Sequence, residues 1–142
     1  MIYFNVKDEN LKKYLRELTD RAFAKSVKIA EHVYRNMPHL LLNIYDCDIS
    51  INKKNLTQFL SEMPQKIDMK KLSLPLVSDN MGVCLLRESH ISVHSFDDYV
   101  CVDIFSCKPY NVEVATNYTI DHFKPRTLEI ELLYRAEKLG YY

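Results

Sequence analysis

Two patterns of apolar residues, one a continuous run and the other an alternation with polar residues, predict the strands at both ends of the main fold. Residues 39–47 form a short run of branched and aromatic side chains, which is typical of a largely buried strand near the centre of a sheet. Residues 127–134 carry leucine or isoleucine at every second position from Leu128 to Leu132, with threonine or glutamate between them. This second pattern predicts a half-exposed final strand.

Three further strand-like runs follow one another with only short polar breaks. They cover residues 80–87, 90–96 and 99–107, and the aspartate pair at 97–98 suits a tight turn. Such spacing is typical of a meander of antiparallel strands. The near-alternation of apolar residues over 66–77 predicts an edge strand before this meander.

Helical periodicity separates these strands. From Asp8, apolar residues recur mostly every three, four or seven positions, and the pattern predicts one helix that runs until Pro38 stops it. Residues 52–62 and 111–123 show the same periodicity, each beginning at an asparagine that can cap the helix, and Pro64 is expected to end the first of these. The order of elements predicts an α+β two-layer sandwich, with an antiparallel sheet and helices packed on one face.

Composition excludes several classes of partner. The 142 residues suit one domain, and 19 basic residues balance 19 acidic ones, so no net charge favours nucleic acid or anionic lipid. No apolar run approaches the roughly 20 residues of a membrane span, and the amino terminus lacks a signal-peptide pattern. We therefore expect a cytoplasmic protein, with its four cysteines reduced and no binding to nucleic acid or membrane. The two glycines argue against a glycine-rich phosphate loop.

A metal site is the first chemistry to consider. On strands, His90 and His94 would share a face, and so would Cys101 and Cys107. Their spacing matches no strong zinc pattern, so we predict no metal. The sequence evidence for a cysteine–histidine hydrolase is equally weak, because no recognisable nucleophile turn accompanies these residues.

The pair Glu88–Ser89 offers a second chemistry, together with His94 and Cys107. A serine hydroxyl can attack the preceding carbonyl, and elimination from the resulting ester leaves a residue that hydrolyses to a pyruvoyl group. That ketone can form a Schiff base with an amino acid and accept electrons on decarboxylation, after which a thiol can supply a proton. From the residues alone, two ordinary residues at the start of a strand explain this common dipeptide as well.

Three blocks in the same order resemble the prokaryotic-type S-adenosylmethionine decarboxylase proenzymes. They are residues 88–107, residues 39–48 and the intervening 82–86. The resemblance implies a pyruvoyl-dependent enzyme with a two-layer α/β sandwich fold. It implies self-cleavage between Glu88 and Ser89, with Ser89 becoming the pyruvoyl cofactor that binds substrate as a Schiff base.

The resemblance also assigns roles to other residues of this chain. His94 matches the family's processing histidine and would lie near the substrate's adenine, and Cys107 matches the proton donor of the decarboxylation. Glu88, Phe96 and Asp98 would join His94 in binding substrate. Phe96 and Asp98 stand where the family commonly has tryptophan and glutamate. No metal is implied.

Departures from the family pattern keep other functions open. Met81 stands where a processing serine is expected, the segment between His94 and Cys107 is slightly shorter, and residues 1–38 form an extra amino-terminal segment that we expect to be helical. The leading hypothesis is a single domain over 1–142 that decarboxylates S-adenosylmethionine, supplying the aminopropyl donor for spermidine synthesis. It would act as a dimer of processed αβ protomers. The alternatives are the same chemistry on ornithine or arginine, and a catalytically inactive regulatory or partner subunit.

Overall fold

The predicted fold class, an antiparallel sheet with helices packed on one face, is confirmed, and in the described part of the chain the main sheet has seven strands and is covered by three helices. The computed structural model describes residues 1–24 and 37–135, and between them the backbone of one short strand pair. The helices are α1 (Glu9–Ala24), α2 (Lys53–Lys66) and α3 (Val112–Phe123). The strands are β1 (Ile2–Asn5), β2 (Lys28–Ile29), β3 (Val33–Tyr34), β4 (Pro38–Tyr45), β5 (Leu76–Val77), β6 (Met81–Leu85), β7 (Ser89–Ser95), β8 (Tyr99–Ser106) and β9 (Thr127–Tyr134).

The sheet order is β1-β9-β4-β8-β7-β6-β5. Strand β4 pairs with β8 on one side and β9 on the other, so the predicted interior position of residues 39–47 is confirmed. Strands β6, β7 and β8 form the predicted meander. The β7–β8 hairpin places Ser89 opposite Ser106 at its open end and Ser95 opposite Val100 near its turn.

The helix-covered face holds the core. Strands β4, β7 and β8 bury every second side chain on this face, and α2 packs against β5, β6 and β7. Tyr110 is buried among them, where its hydroxyl donates to the carbonyl oxygen of Ile104 at 2.7 Å and accepts the Leu40 N–H at 3.2 Å. Since Leu40 belongs to β4 and Ile104 to β8, one side chain ties the two strands together.

The opposite face of the sheet is open in the part of the chain that the structure describes. Its side chains are half-buried or exposed, and several of them are large and apolar. Clusters of exposed apolar side chains, such as the three on β6, can mark an interaction site. The exposed apolar residues on strands β6 and β9 are Met81, Val83, Leu85 and Leu133.

The first helix is shorter than its periodicity predicts. Asp8 does cap it, since its Oδ1 accepts the Asn10 N–H at 2.8 Å, but the helix ends at Ala24 rather than at Pro38. Ile29 and Val33, which fit the helical spacing, instead pair as β2 and β3, in keeping with the preference of branched side chains for extended backbone. The amino-terminal segment is therefore not wholly helical, and β1 joins the main sheet beside β9.

Pro64 does not end α2. The helix begins after the predicted Asn52 cap, whose side chain accepts the Asn55 N–H at 2.9 Å, and continues to Lys66 with Pro64 buried inside it. Proline removes one N–H but leaves its carbonyl available, and the Met69 N–H donates to it at 2.8 Å. The edge strand predicted over 66–77 is limited to β5 at its end. None of the described helices is long and apolar enough to cross a membrane.

Candidate active site

Ser89 begins β7 with its side chain buried on the helix-covered face. Its hydroxyl donates to the hydroxyl oxygen of Ser106 at 2.7 Å, and Ser106 Oγ also accepts the Lys108 N–H at 3.0 Å. Ser89 is 6% exposed and Ser106 is fully buried. The paired strands therefore hold two hydroxyl groups in contact where water has little access.

The peptide that precedes Ser89 is held by the end of β8. The carbonyl oxygen of Glu88 accepts the Cys107 N–H at 2.9 Å, and the carbonyl oxygen of Ser89 accepts the Leu86 N–H at 2.8 Å. A fixed N–H donor on a carbonyl oxygen is the arrangement that stabilises negative charge developing there under nucleophilic attack. The Cys107 side chain itself is exposed beside this peptide.

A cavity of about 470 Å³ opens next to the Glu88–Ser89 peptide. The Lys108 side chain lies along one wall of this cavity, where its Nζ donates to the carbonyl oxygen of Asp68 at 2.9 Å. Three cationic side chains and two carboxylates line it, so a small polar molecule can reach the edge of the site here. The lining residues are Gln65, Asp68, Met69, Lys70, Arg87, Glu88 and Lys108.

The remaining predicted site residues lie at the other end of the β7–β8 hairpin. His94 is the register partner of Cys101 on β8 and of Met81 on β6. Its ring stacks on Phe96 with centroids 6.5 Å apart, and Phe96 stacks on Tyr99 at 4.9 Å. These residues form an aromatic row at the turn.

Asp98 is exposed in this turn and lines a second cavity of about 280 Å³. Phe96, Asp46 and Asp97 line the same cavity. The turn therefore combines an exposed aromatic ring with several carboxylates.

The structure does not bring His94 to Ser89 within one chain. The two residues are separated by about 16 Å along β7, since each strand residue advances the chain by about 3.3 Å. They also point to opposite faces, with Ser89 toward the helices and His94 on the open face. Glu88, Ser89 and Cys107 thus form one group, and His94, Phe96 and Asp98 form another.

The four residues considered as metal ligands do not converge. His90 and His94 do share the open face, but His90 lies opposite Phe105, with ring centroids 5.4 Å apart, and Cys107 lies beyond the end of β8. Cys101 Sγ donates to Asn43 Oδ1 at 3.2 Å, and burial raises the pKa of this thiol. Within residues 1–24 and 37–135, no three His, Cys, Asp or Glu side chains are grouped closely enough to hold a metal ion.

Ser106 is the residue of this site that sequence reasoning missed. The signal was present, because Val102 and Ile104 set the buried positions of β8 at even numbers and Ser106 continues that series. A hydroxyl at a buried strand position requires a hydrogen-bond partner, and the partner proves to be Ser89.

Comparison with known proteins gives consistent matches. The chain is 31% identical over 104 residues to the S-adenosylmethionine decarboxylase proenzyme of Methanococcus aeolicus, a match that covers 65% of this chain and 86% of that protein. It is 25% identical over 107 residues to the proenzyme of Archaeoglobus fulgidus, covering 69% and 96%.

A solved structure and a family model agree with these relatives. The fold is similar to the crystal structure of the adenosylmethionine decarboxylase from Aquifex aeolicus, with a TM-score of 0.60 and 23% identity over 71% of this chain and 91% of that one. Residues 38–136 match the family model described as S-adenosylmethionine decarboxylase. These residues include every strand from β4 to β9 and both groups of candidate site residues, so the chain belongs to the S-adenosylmethionine decarboxylase family of pyruvoyl-dependent carboxy-lyases.

Proposed function

We propose that this protein cleaves itself between Glu88 and Ser89 and then decarboxylates S-adenosylmethionine, supplying the aminopropyl donor for spermidine synthesis. The observation that carries the proposal is the hydrogen bond from the Cys107 N–H to the Glu88 carbonyl oxygen, directly beside the buried Ser89 hydroxyl. A carbonyl held by a donor and a nucleophile sheltered from water are what an intramolecular acyl transfer requires.

The cleavage would proceed in three balanced steps. First, Ser89 Oγ bonds to the Glu88 carbonyl carbon while the C–N bond breaks, and the hydroxyl proton moves to the Ser89 nitrogen, leaving an ester. Second, loss of the Ser89 α-proton expels the Glu88 carboxylate and leaves a dehydroalanine. Third, this enamine tautomerises to the imine, and water hydrolyses the imine, which releases ammonia and leaves a ketone at the new amino terminus.

The arrangement of this chain suits the group that such a cleavage produces. A pyruvoyl group supplies an electron sink for amino-acid decarboxylation. Cys107 follows Ser106, the register partner of Ser89, and we expect its exposed thiol to deliver a proton at the end of the strand. The neighbouring cavity gives a small amino-acid-type substrate access to this edge.

A second copy of the chain would complete the site. Since His94, Phe96 and Asp98 lie far from Ser89 in one chain, we propose that they serve Ser89 of a partner in a dimer. The exposed apolar side chains of the open sheet face support a dimer, because a partner could cover them. Since the Ser89 side chain points to the helix-covered face, the partner's residues would reach the Glu88–Ser89 peptide at the end of β7.

Cleavage is tested by the intact mass of the purified protein. We expect two fragments, ending at Glu88 and beginning with a pyruvoyl group in place of Ser89. The Ser89→Ala variant should remain one chain, whereas Ser92→Ala, a change at a half-buried position on the open face of the same strand, should cleave normally. An uncut wild-type chain, or cleavage of Ser89→Ala, would overturn the assignment.

The substrate is tested by carbon dioxide release from S-adenosylmethionine, ornithine and arginine, each incubated separately with processed protein. We expect release from S-adenosylmethionine. Release from ornithine or arginine alone would refute this substrate while leaving the pyruvoyl chemistry intact.

The shared site is tested by co-expressing two uncut variants that carry different affinity tags. We expect His94→Ala alone to stay uncut, and its chain to be cut when Ser89→Ala supplies the histidine from the partner. Efficient cleavage of His94→Ala on its own would show that His94 has no part in processing.

A further inference from the structure

Ser106 contacts the residue that the proposed cleavage consumes, and the family resemblance assigns it no role. We propose that Ser106 is a positioning residue for self-cleavage, which orients and polarises the Ser89 hydroxyl for its attack on Glu88. The inference rests on the proposed function, since it concerns the first step of that cleavage.

The position of Ser106 is fixed from two sides. It is the register partner of Ser89, and its Oγ accepts the Lys108 N–H at 3.0 Å as well as the Ser89 hydroxyl at 2.7 Å. Two residues before it, Ile104 is held through its carbonyl oxygen by the buried Tyr110 hydroxyl. The acceptor for Ser89 is therefore held in place by the Lys108 N–H and by the anchored end of β8.

This contact directs the chemistry of Ser89. When Ser106 accepts the hydroxyl hydrogen, it sets the orientation of the Ser89 hydroxyl and increases the electron density on the attacking oxygen. The burial of both hydroxyls keeps water from competing for that hydrogen bond. On the neighbouring residue, the Cys107 N–H holds the Glu88 carbonyl oxygen, so the last residue of β8 and the residue that follows it contact both reacting groups.

The expected helper is absent from its usual place. Met81 occupies the position where the family pattern has a processing serine, and it lies beside His94 on the open face, away from the Ser89 side chain. Ser106 is instead the hydroxyl that this chain itself holds against Ser89. In the acyl shift, the shared hydrogen passes to the Ser89 nitrogen as the C–N bond breaks, so Ser106 is unchanged at the end.

Two substitutions of equal size distinguish the effect of the Ser106 hydroxyl from the effect of side-chain packing. Ser106→Thr keeps the hydroxyl and adds a methyl group, whereas Ser106→Val adds the same bulk without the hydroxyl. We expect cleavage in a cell-free translation time course to be roughly 100-fold slower in Ser106→Val than in Ser106→Thr, the typical cost of misplacing a reacting group by about 1 Å. Thr116→Val on α3, which also removes a fully buried hydroxyl, should cleave at the wild-type rate.

Hydroxylamine identifies the affected step, because it cuts esters and spares amides. We expect it to release few fragments from Ser106→Val, since without Ser106 the ester does not form. Abundant hydroxylamine-released fragments would place Ser106 after the acyl shift and overturn the proposal.

The self-cleavage rates of the Ser106 variants decide the remaining outcomes. Equal cleavage of Ser106→Thr and Ser106→Val at the wild-type rate would refute the role of Ser106, even though the proposed self-cleavage stands. If neither bulky variant cleaves, the smaller Ser106→Ala decides, because a wild-type rate in it would also refute the role. An uncut wild-type protein would instead refute the proposed function itself.

Discussion

Replacing Tyr110 with phenylalanine should lower the stability of the sheet near the candidate active site. The change removes one buried hydroxyl that bonds to both β4 and β8, through Leu40 and Ile104. At about 1 kcal/mol for each hydrogen bond, the expected loss in the free energy of unfolding is about 2 kcal/mol. For a chain of this length, that corresponds to a fall in Tm of roughly 6 °C.

The measurement is urea unfolding followed by circular dichroism, in the Ser89→Ala background so that one uncut chain unfolds. Tyr118→Phe is the matched control, because its hydroxyl bonds to the exposed carboxylate of Glu62, where water can replace it. Its loss should be clearly smaller. If Tyr110→Phe is no less stable than Tyr118→Phe, the two hydrogen bonds do not hold the strands together as described.

Three other predictions follow from particular contacts. Cys107→Ala should still cleave, because the bond to Glu88 comes from the backbone N–H, but it should release carbon dioxide slowly; a chain that stays uncut on a denaturing gel would contradict this. Gly82→Ala should cost about 1–3 kcal/mol in urea unfolding, since its Cβ would lie 2.6 Å from Leu60 Cδ1, and an unchanged midpoint would show that α2 shifts freely. Burial lowers the pKa of His122 below 6.5, so its contribution to stability is present above that pH and lost as pH falls toward the folded-state value. The drop in urea midpoint between pH 7.5 and pH 5.5 should therefore be smaller in His122→Gln, and an equal drop would exclude His122 as its source.

The sequence predicted the strands well where one face is buried and the other is not. Alternation in β9 and the meander fixes which side chains point inward, and a register slip would reverse every one of them. Asn52 and Asn111 marked their helix starts correctly, because each side-chain oxygen accepts a free N–H of the first turn. These signals are local, so a single sequence contains them.

The errors arose where tertiary structure overrides local pattern. Helical spacing continues past Ala24, but spacing alone cannot show that Ile29 and Val33 pair as strands. The resemblance also assigns His94 and Ser89 to one site, which these two residues do not form within a single chain. Their odd separation along one strand already places them on opposite faces.

The order of strands determines what would happen to the two products of cleavage. A cut between Glu88 and Ser89 assigns β1, β4, β5 and β6 to one polypeptide and β7, β8 and β9 to the other. Across the sheet these alternate, so that four ladders, β1–β9, β9–β4, β4–β8 and β7–β6, join different products. The strands of the two fragments would thus be interleaved in one sheet, and neither fragment could dissociate unless the sheet unfolded. Maturation would break a covalent bond without creating a dissociable complex, and the two pieces would separate only under denaturing conditions.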